Sequence, residues 1–146
     1  MFTTKVGNYS SNKKEKTWKI RWFVLVLTRI NEATFISVTT DSTPDVSHRE
    51  MYSIIIRFVH NFEVEERLVD FDEMNSKVGR RIVDFLLSSF KKNNISSNKI
   101  IGQSYDGASN MTGKFAGVQA VLSEELGQNI IFIPCGAHKS NIGNAD

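Results

Sequence analysis

Phe35-Ile-Ser-Val-Thr-Thr-Asp41-Ser-Thr-Pro-Asp45 is the stretch on which the reading of this chain turns. Phe35 to Thr40 is rich in β-branched and aromatic side chains, which predicts a strand, and the cluster from Asp41 to Asp45 predicts the loop that ends it. A second β-rich segment follows at once. Met51 to His60 carries Ile54, Ile55, Ile56, Phe58 and Val59 in a nearly continuous run, as a strand in the middle of a sheet does. Asn61 with Phe62 reads as a hairpin turn. Residues 63 to 72 then set Val64, Leu68 and Phe71 among Glu63, Glu65, Glu66 and Asp70, the pattern of an antiparallel strand with one wet face.

Beyond these three strands the period changes. Val78, Ile82, Phe85, Leu86 and Phe90 fall on one helical face, with Ser76 as a candidate cap and Asn93 and Asn94 at the end. Lys99 to Ser104 is a short strand. Thr112 to Leu126 reads as a second helix, with Phe115, Val118, Val121 and Leu122 aligned and Gly127 stopping it. Ile130 to Ile133 is a last buried strand closed by Pro134. The order is βββαβαβ, which is the ribonuclease H-like arrangement, an α/β fold in which strands one and four lie side by side at the middle of a mixed sheet.

Upstream, the pattern is less decisive. Trp18 to Ala33 fits a helix through Trp22, Val26, Arg29 and Ile30 about as well as it fits a strand through Ile20, Trp22, Val24 and Val26. Residues 1 to 17 are rich in Ser, Asn and Lys without a period and read as a loose arm. The chain therefore divides into a basic arm, 1–26, and a ribonuclease H-like body, 27–146.

Composition narrows the function classes. With 146 residues, 40% hydrophobic and 23% charged, the chain has the usage of one ordinary folded domain. Its single cysteine, Cys135, forms no internal disulfide, which points to a reducing, intracellular compartment. Three glycosylation-type triplets, beginning at Asn8, Asn94 and Asn110, are read as unused. The longest apolar run, Trp22 to Leu27, is far short of the roughly 20 residues a membrane span needs, and no membrane partner is expected. The net charge of +2 hides an asymmetry. Residues 1 to 21 hold six Lys or Arg against Glu15, while the remainder is mildly acidic with 12 basic against 15 acidic residues. The body thus lacks the basic face of a domain that grips DNA by itself, and the tail suits phosphate contact, nuclear import or plain solvation.

Two carboxylates stand out by position. Asp41 follows the first strand and Asp106 the fourth, so neighbouring strands would project both from one end of the sheet. Paired carboxylate oxygens are what Mg²⁺ or Mn²⁺ takes in phosphodiester chemistry. The turn from Gly102 to Phe115 also resembles a phosphate cradle, but Ala108 stands where the first P-loop glycine belongs and Phe115 replaces the Ser or Thr that would hold Mg²⁺. No small-molecule substrate is expected.

Four motifs in a fixed order carry a family resemblance. They are Asp41-Ser-Thr-Pro-Asp45-Val-Ser-His48, Ile56-Arg57-Phe58-Val59, Gly102-Gln-Ser-Tyr-Asp106-Gly-Ala-Ser-Asn110-Met111, and Ile133-Pro-Cys135-Gly-Ala-His138 followed by Asn141. Together they resemble hAT-superfamily transposase-derived proteins, and within them the MYM-type zinc-finger protein 1-like group. The resemblance implies a nuclear DNA transposase core in which Asp41 and Asp106 are two of three acidic metal ligands for strand cleavage and transfer. It places Cys135 and His138 on a C-x-x-H signature. Two such ligands, with His48 and His60 far off in sequence, do not close a zinc site, so a structural role is expected. The family's third carboxylate lies beyond a helical insertion after the fifth strand. The chain is accordingly expected to be a truncated and inactive core, or else a domesticated module that uses the fold to bind a protein partner.

Overall fold

The computed structural model describes residues 7–44, 46, 49–106, 109–113 and 116–134. Helix α1 (Gly7–Glu32) leads into three strands, β1 (Ile36–Pro44), β2 (Glu50–His60) and β3 (Glu63–Glu73). Helix α2 (Gly79–Lys92), a short 3₁₀ turn (Ser97–Lys99) and β4 (Ile100–Ser104) follow, then α3 (Ser109–Thr112), α4 (Val118–Leu126) and β5 (Ile131–Phe132). The five strands form one sheet in the order β3-β2-β1-β4-β5. β1 to β3 are antiparallel neighbours, whereas β4 runs parallel to β1 and β5 parallel to β4. This is the ribonuclease H-like mixed sheet that the element order predicts, with strands one and four adjacent.

Alternation along the central strands shows where the core lies. Ile36, Val38 and Thr40 on β1 are buried and stand opposite the buried Phe58, Ile56 and Ile54 of β2. These side chains join Val26 and Ile30 of α1, Ile82, Leu86 and Phe90 of α2, and Val118 and Leu122 of α4 in a single apolar cluster. The helices therefore cover one face of the sheet. On the other face Phe35, Val59, Val64, Leu68, Phe71, Ile131 and Ile133 are each more than half exposed.

Several local features depart from the sequence reading. α1 is one helix from Gly7, through residues whose composition reads as a loose arm. Only its last part docks: Val26, Ile30 and Ala33 are buried, whereas Lys16 to Trp22 are exposed. β1 runs on through the turn cluster to Pro44, because antiparallel pairing with β2 continues to Pro44↔Glu50. Asp41 consequently sits inside the strand. The helix expected from Thr112 begins only at Val118, and Thr112 is instead the last residue of the short α3. Gly117 stands in extended conformation as the cap of α4 and donates its N–H to the Gly113 carbonyl at 3.0 Å. Phe115 lies outside the described residues.

The largest departure concerns β3, whose wet and dry faces are exchanged. The two-residue turn aligns His60 with Glu63, so Glu65 and Arg67 fall opposite the inward-facing Phe58 and Ile56. A bulge then leaves Val69 between the pairs Ile55↔Leu68 and Ile54↔Asp70, and this one apolar side chain is buried. Charge therefore lines the helix-covered side of β3, and it is neutralised there. Glu65 is held between Arg29 at 3.1 Å and Arg67 at 2.6 Å, while Asp70 meets Lys92 at 3.6 Å. Val64, Leu68 and Phe71 face outward.

The β2–β3 turn itself is the expected hairpin. Both of its residues have positive φ, 51° at Asn61 and 65° at Phe62, the backbone of a type I′ turn. Asn tolerates that conformation, but a Phe pays a steric cost of about 1–2 kcal/mol in it. The Phe62 ring is wholly exposed and makes no packing to offset this. Phe62→Gly is expected to stabilise the domain by about 1 kcal/mol, read as a higher urea midpoint at unchanged slope.

Candidate functional site

The parallel pairing of β1 with β4 brings the two predicted carboxylates to one level. The last aligned pair is Thr39↔Ser104, and two residues beyond it lie Asp41, inside β1, and Asp106, just past the end of β4. Asp41 is exposed and stands opposite Ser53 of β2. Its Oδ1 accepts the Ser42 N–H at 2.9 Å, which fixes the carboxylate against its own strand. Asp106 is half-buried, just after β4 ends.

Near Asp106 the structure gathers groups that the sequence reading passes over, whereas alternation after the buried Thr40 turns Asp41 to the other face of the sheet. Tyr52 is buried and donates its hydroxyl to the Ser76 carbonyl at 3.4 Å. Burial pushes its phenol above the usual tyrosine range, a hydrogen bond from the Ser42 hydroxyl opposes this, and the nearby Glu50 and Asp106 charges add to the rise. Glu50 in turn binds Lys77 Nζ at 2.7 Å, a bond that holds the ammonium above its ordinary range. The signal for these partners was present in the sequence: once pairing of β1 with β2 is carried past Asp41, Ser42 falls opposite Tyr52 and Pro44 opposite Glu50.

The platform beneath the acids is fixed by β4. Gln103 is buried, and its amide Nε2 reaches the carbonyls of Gln119 at 3.2 Å and Ile130 at 3.3 Å, tying β4 to α4 and to the approach to β5. Gly102 packs so closely on β1 that an added Cβ would stand 3.0 Å from Ser37 Cβ. Tyr105, next to Asp106, is fully buried and stacks on Phe132 with ring centroids 6.2 Å apart. Asp106 thus follows a strand whose side chains are locked into the core.

As a cation site, Asp41 and Asp106 would supply two carboxylates. Hard divalent ions accept such donors, with water completing the shell. Among the described residues no group of three His, Cys, Asp or Glu side chains converges on one point. His60 lies at the far end of β2, near Glu32 at 3.8 Å. Cys135, His138 and His48 lie outside the described residues, as do Gly107 and Ala108 of the glycine-containing turn. Among the described residues no helix is long and apolar enough to cross a membrane.

Tyr105 offers a test of this platform. Its hydroxyl has no hydrogen-bond partner among the described residues, and burial raises its phenol far above the ordinary value of 10.0. The unfolded chain therefore releases this proton first as pH rises. The stability that the neutral phenol contributes is complete below about pH 10 and falls as pH climbs beyond it. Tyr105→Phe is expected to gain about 1 kcal/mol at neutral pH, from the lost buried orphan, and to move the alkaline unfolding limb upward. Urea titrations at neutral and alkaline pH measure both.

A family model described as DUF4371, the ZMYM1/FAM200 RNase-like domain, matches residues 20–117. The matched span contains β1 to β4 and both carboxylates.

Proposed function

From the premise that the chain belongs to the ZMYM1/FAM200 RNase-like domain family of transposase-derived proteins, we propose that it is a hAT-type transposase core that no longer cuts DNA. The observation that supports this reading is the parallel pairing of β1 with β4, whose last pair, Thr39↔Ser104, precedes Asp41 and Asp106 by two residues each. In the ancestral activity these two would hold Mg²⁺ or Mn²⁺, which activates water and stabilises charge on a phosphodiester. Among the described residues no group of three metal-ligating side chains forms, and the inactive reading is the one put to the test. DNA remains the ancestral partner and the nucleus the place of action. The basic residues before Arg21 suit both proposals, by phosphate contact or by import.

Weak metal binding without turnover is the expected signature. Mn²⁺ titrated into the isotopically labelled chain should broaden amide signals near Asp41 and Asp106, with an apparent Kd on the order of 10⁻³ M, the weak end for carboxylate sites. Asp106→Asn should abolish the effect, and incubation with Mn²⁺ and DNA should give no strand cleavage. Identical broadening in wild type and variant would remove the site.

A second reading is favoured by one separate observation. The apolar side chains on the face of the sheet that no described helix covers suit a domesticated module that uses the fold to bind a protein.

A further inference from the structure

The first half of α1 is where the positive charge of this chain is concentrated. Residues 13 to 21 hold five Lys or Arg against Glu15, whereas the chain from residue 22 onward has 12 basic and 15 acidic residues. Lys16, Lys19 and Arg21 are exposed. The residues that dock the helix begin at Val26 and continue with Ile30, Ala33 and the Arg29–Glu65 pair. What precedes them is a basic helix attached to a mildly acidic body.

The same segment presents two indole rings, neither of which belongs to the apolar core. Trp18 is 70% and Trp22 54% exposed. Their spacing of four residues puts both on one side of the helix, with a rise of about 6 Å between them. Arg21, three residues after Trp18, borders that side. Its guanidinium lies 6.0 Å from the Trp18 ring centroid, a cation–π distance that holds positive charge beside the ring.

Exposed rings interleaved with cations match the chemistry of an unpaired nucleic-acid strand, whose bases stack on the rings while its phosphates meet the cations. Two other polyanions fit less well. In a duplex the base faces are already stacked on one another, so the indoles would have no face to stack on. An anionic membrane takes a helix with one apolar face, whereas Ile20 and Val24 lie on the side of α1 opposite Trp18 and Trp22. We propose that the first half of α1 binds single-stranded DNA, with Trp18 and Trp22 as stacking platforms and the neighbouring Lys and Arg residues as phosphate contacts. This rests on the DNA reading above and names the element that meets the strand.

Titrating the full chain, in EDTA, with an oligothymidylate of about 15 nucleotides, the length of one such site, tests this. Trp18 and Trp22 are the only tryptophans, so quenching of tryptophan emission reports stacking on this helix and nowhere else. The free chain should show the emission of solvent-exposed indole, and binding should quench it. Log Kd should rise with log salt at a slope of about 3, as several released phosphate contacts require. Trp22→Ala should weaken binding about tenfold, whereas Trp22→Tyr, which keeps a stacking ring, should retain most of the affinity. Lys16→Glu together with Arg21→Glu should weaken binding and flatten the salt slope. These side chains are exposed, so circular dichroism and the heat-unfolding midpoint should stay near wild type. Binding without quenching, equal affinity for a duplex or for vesicles of anionic lipid, or indifference to Trp22→Ala overturns the proposal. So does short-wavelength emission before DNA is added, which would mean that the helix is already enclosed. Divalent cations are absent from this assay, so its failure leaves the Mn²⁺ titration standing, and failure of that titration leaves this binding intact.

Discussion

The parallel contact of β1 with β4 is the constraint on which the rest of this structure depends. It joins an antiparallel three-stranded unit, in which the Asn61–Phe62 turn sets the register of β3 on β2, to a helical unit whose strands are short. Without it the hairpins would have no reason to share a core with α2 and α4. Gly102 makes the approach close, and the Gln103 side chain converts the closeness into a fixed position by bonding carbonyls on two further segments. Both acidic candidates lie on the carboxyl side of this seam, so the same pairing that closes the fold also sets the spacing of any chemistry there.

Burial is one-sided, and this explains features that look contradictory strand by strand. Ile54, Ile56 and Phe58 are buried although their neighbour Val59 is not, because alternation sends every second side chain away from the helices. On β3 the same alternation carries glutamate and arginine inward. That placement is tolerated because the groups arrive in compensating pairs, with Glu65 clasped by two guanidinium groups. Leaving both arginines out would strand a mostly buried carboxylate.

Much of this was legible in the residues, and the failures have physical causes. The β-branched runs, the Asn61–Phe62 turn, the apolar face of α2 and the glycine stop after α4 all depend on near neighbours in the chain, and each is found. The faces of β3 were misread because the pattern counts apolar residues without knowing the register, which the turn sets, or the bulge, which shifts it by one. α1 was ambiguous because its side chains lack a single apolar stripe, having work on one side only after Leu25. The pair Asp41 and Asp106 is suggested by strand order, whereas Tyr52, Glu50 and Lys77 enter only when β1 is carried through its supposed turn.

The edges of the sheet have a consequence of their own. β3 presents one outer rim of unpaired backbone groups, yet it is lined with acids and bent by its bulge, while β5 at the other rim is only two residues long. A strand added at either rim would meet like charge or find almost no ladder to copy. Among the described residues, growth by backbone templating, the route from a folded sheet to a fibril, therefore finds little to copy at either rim.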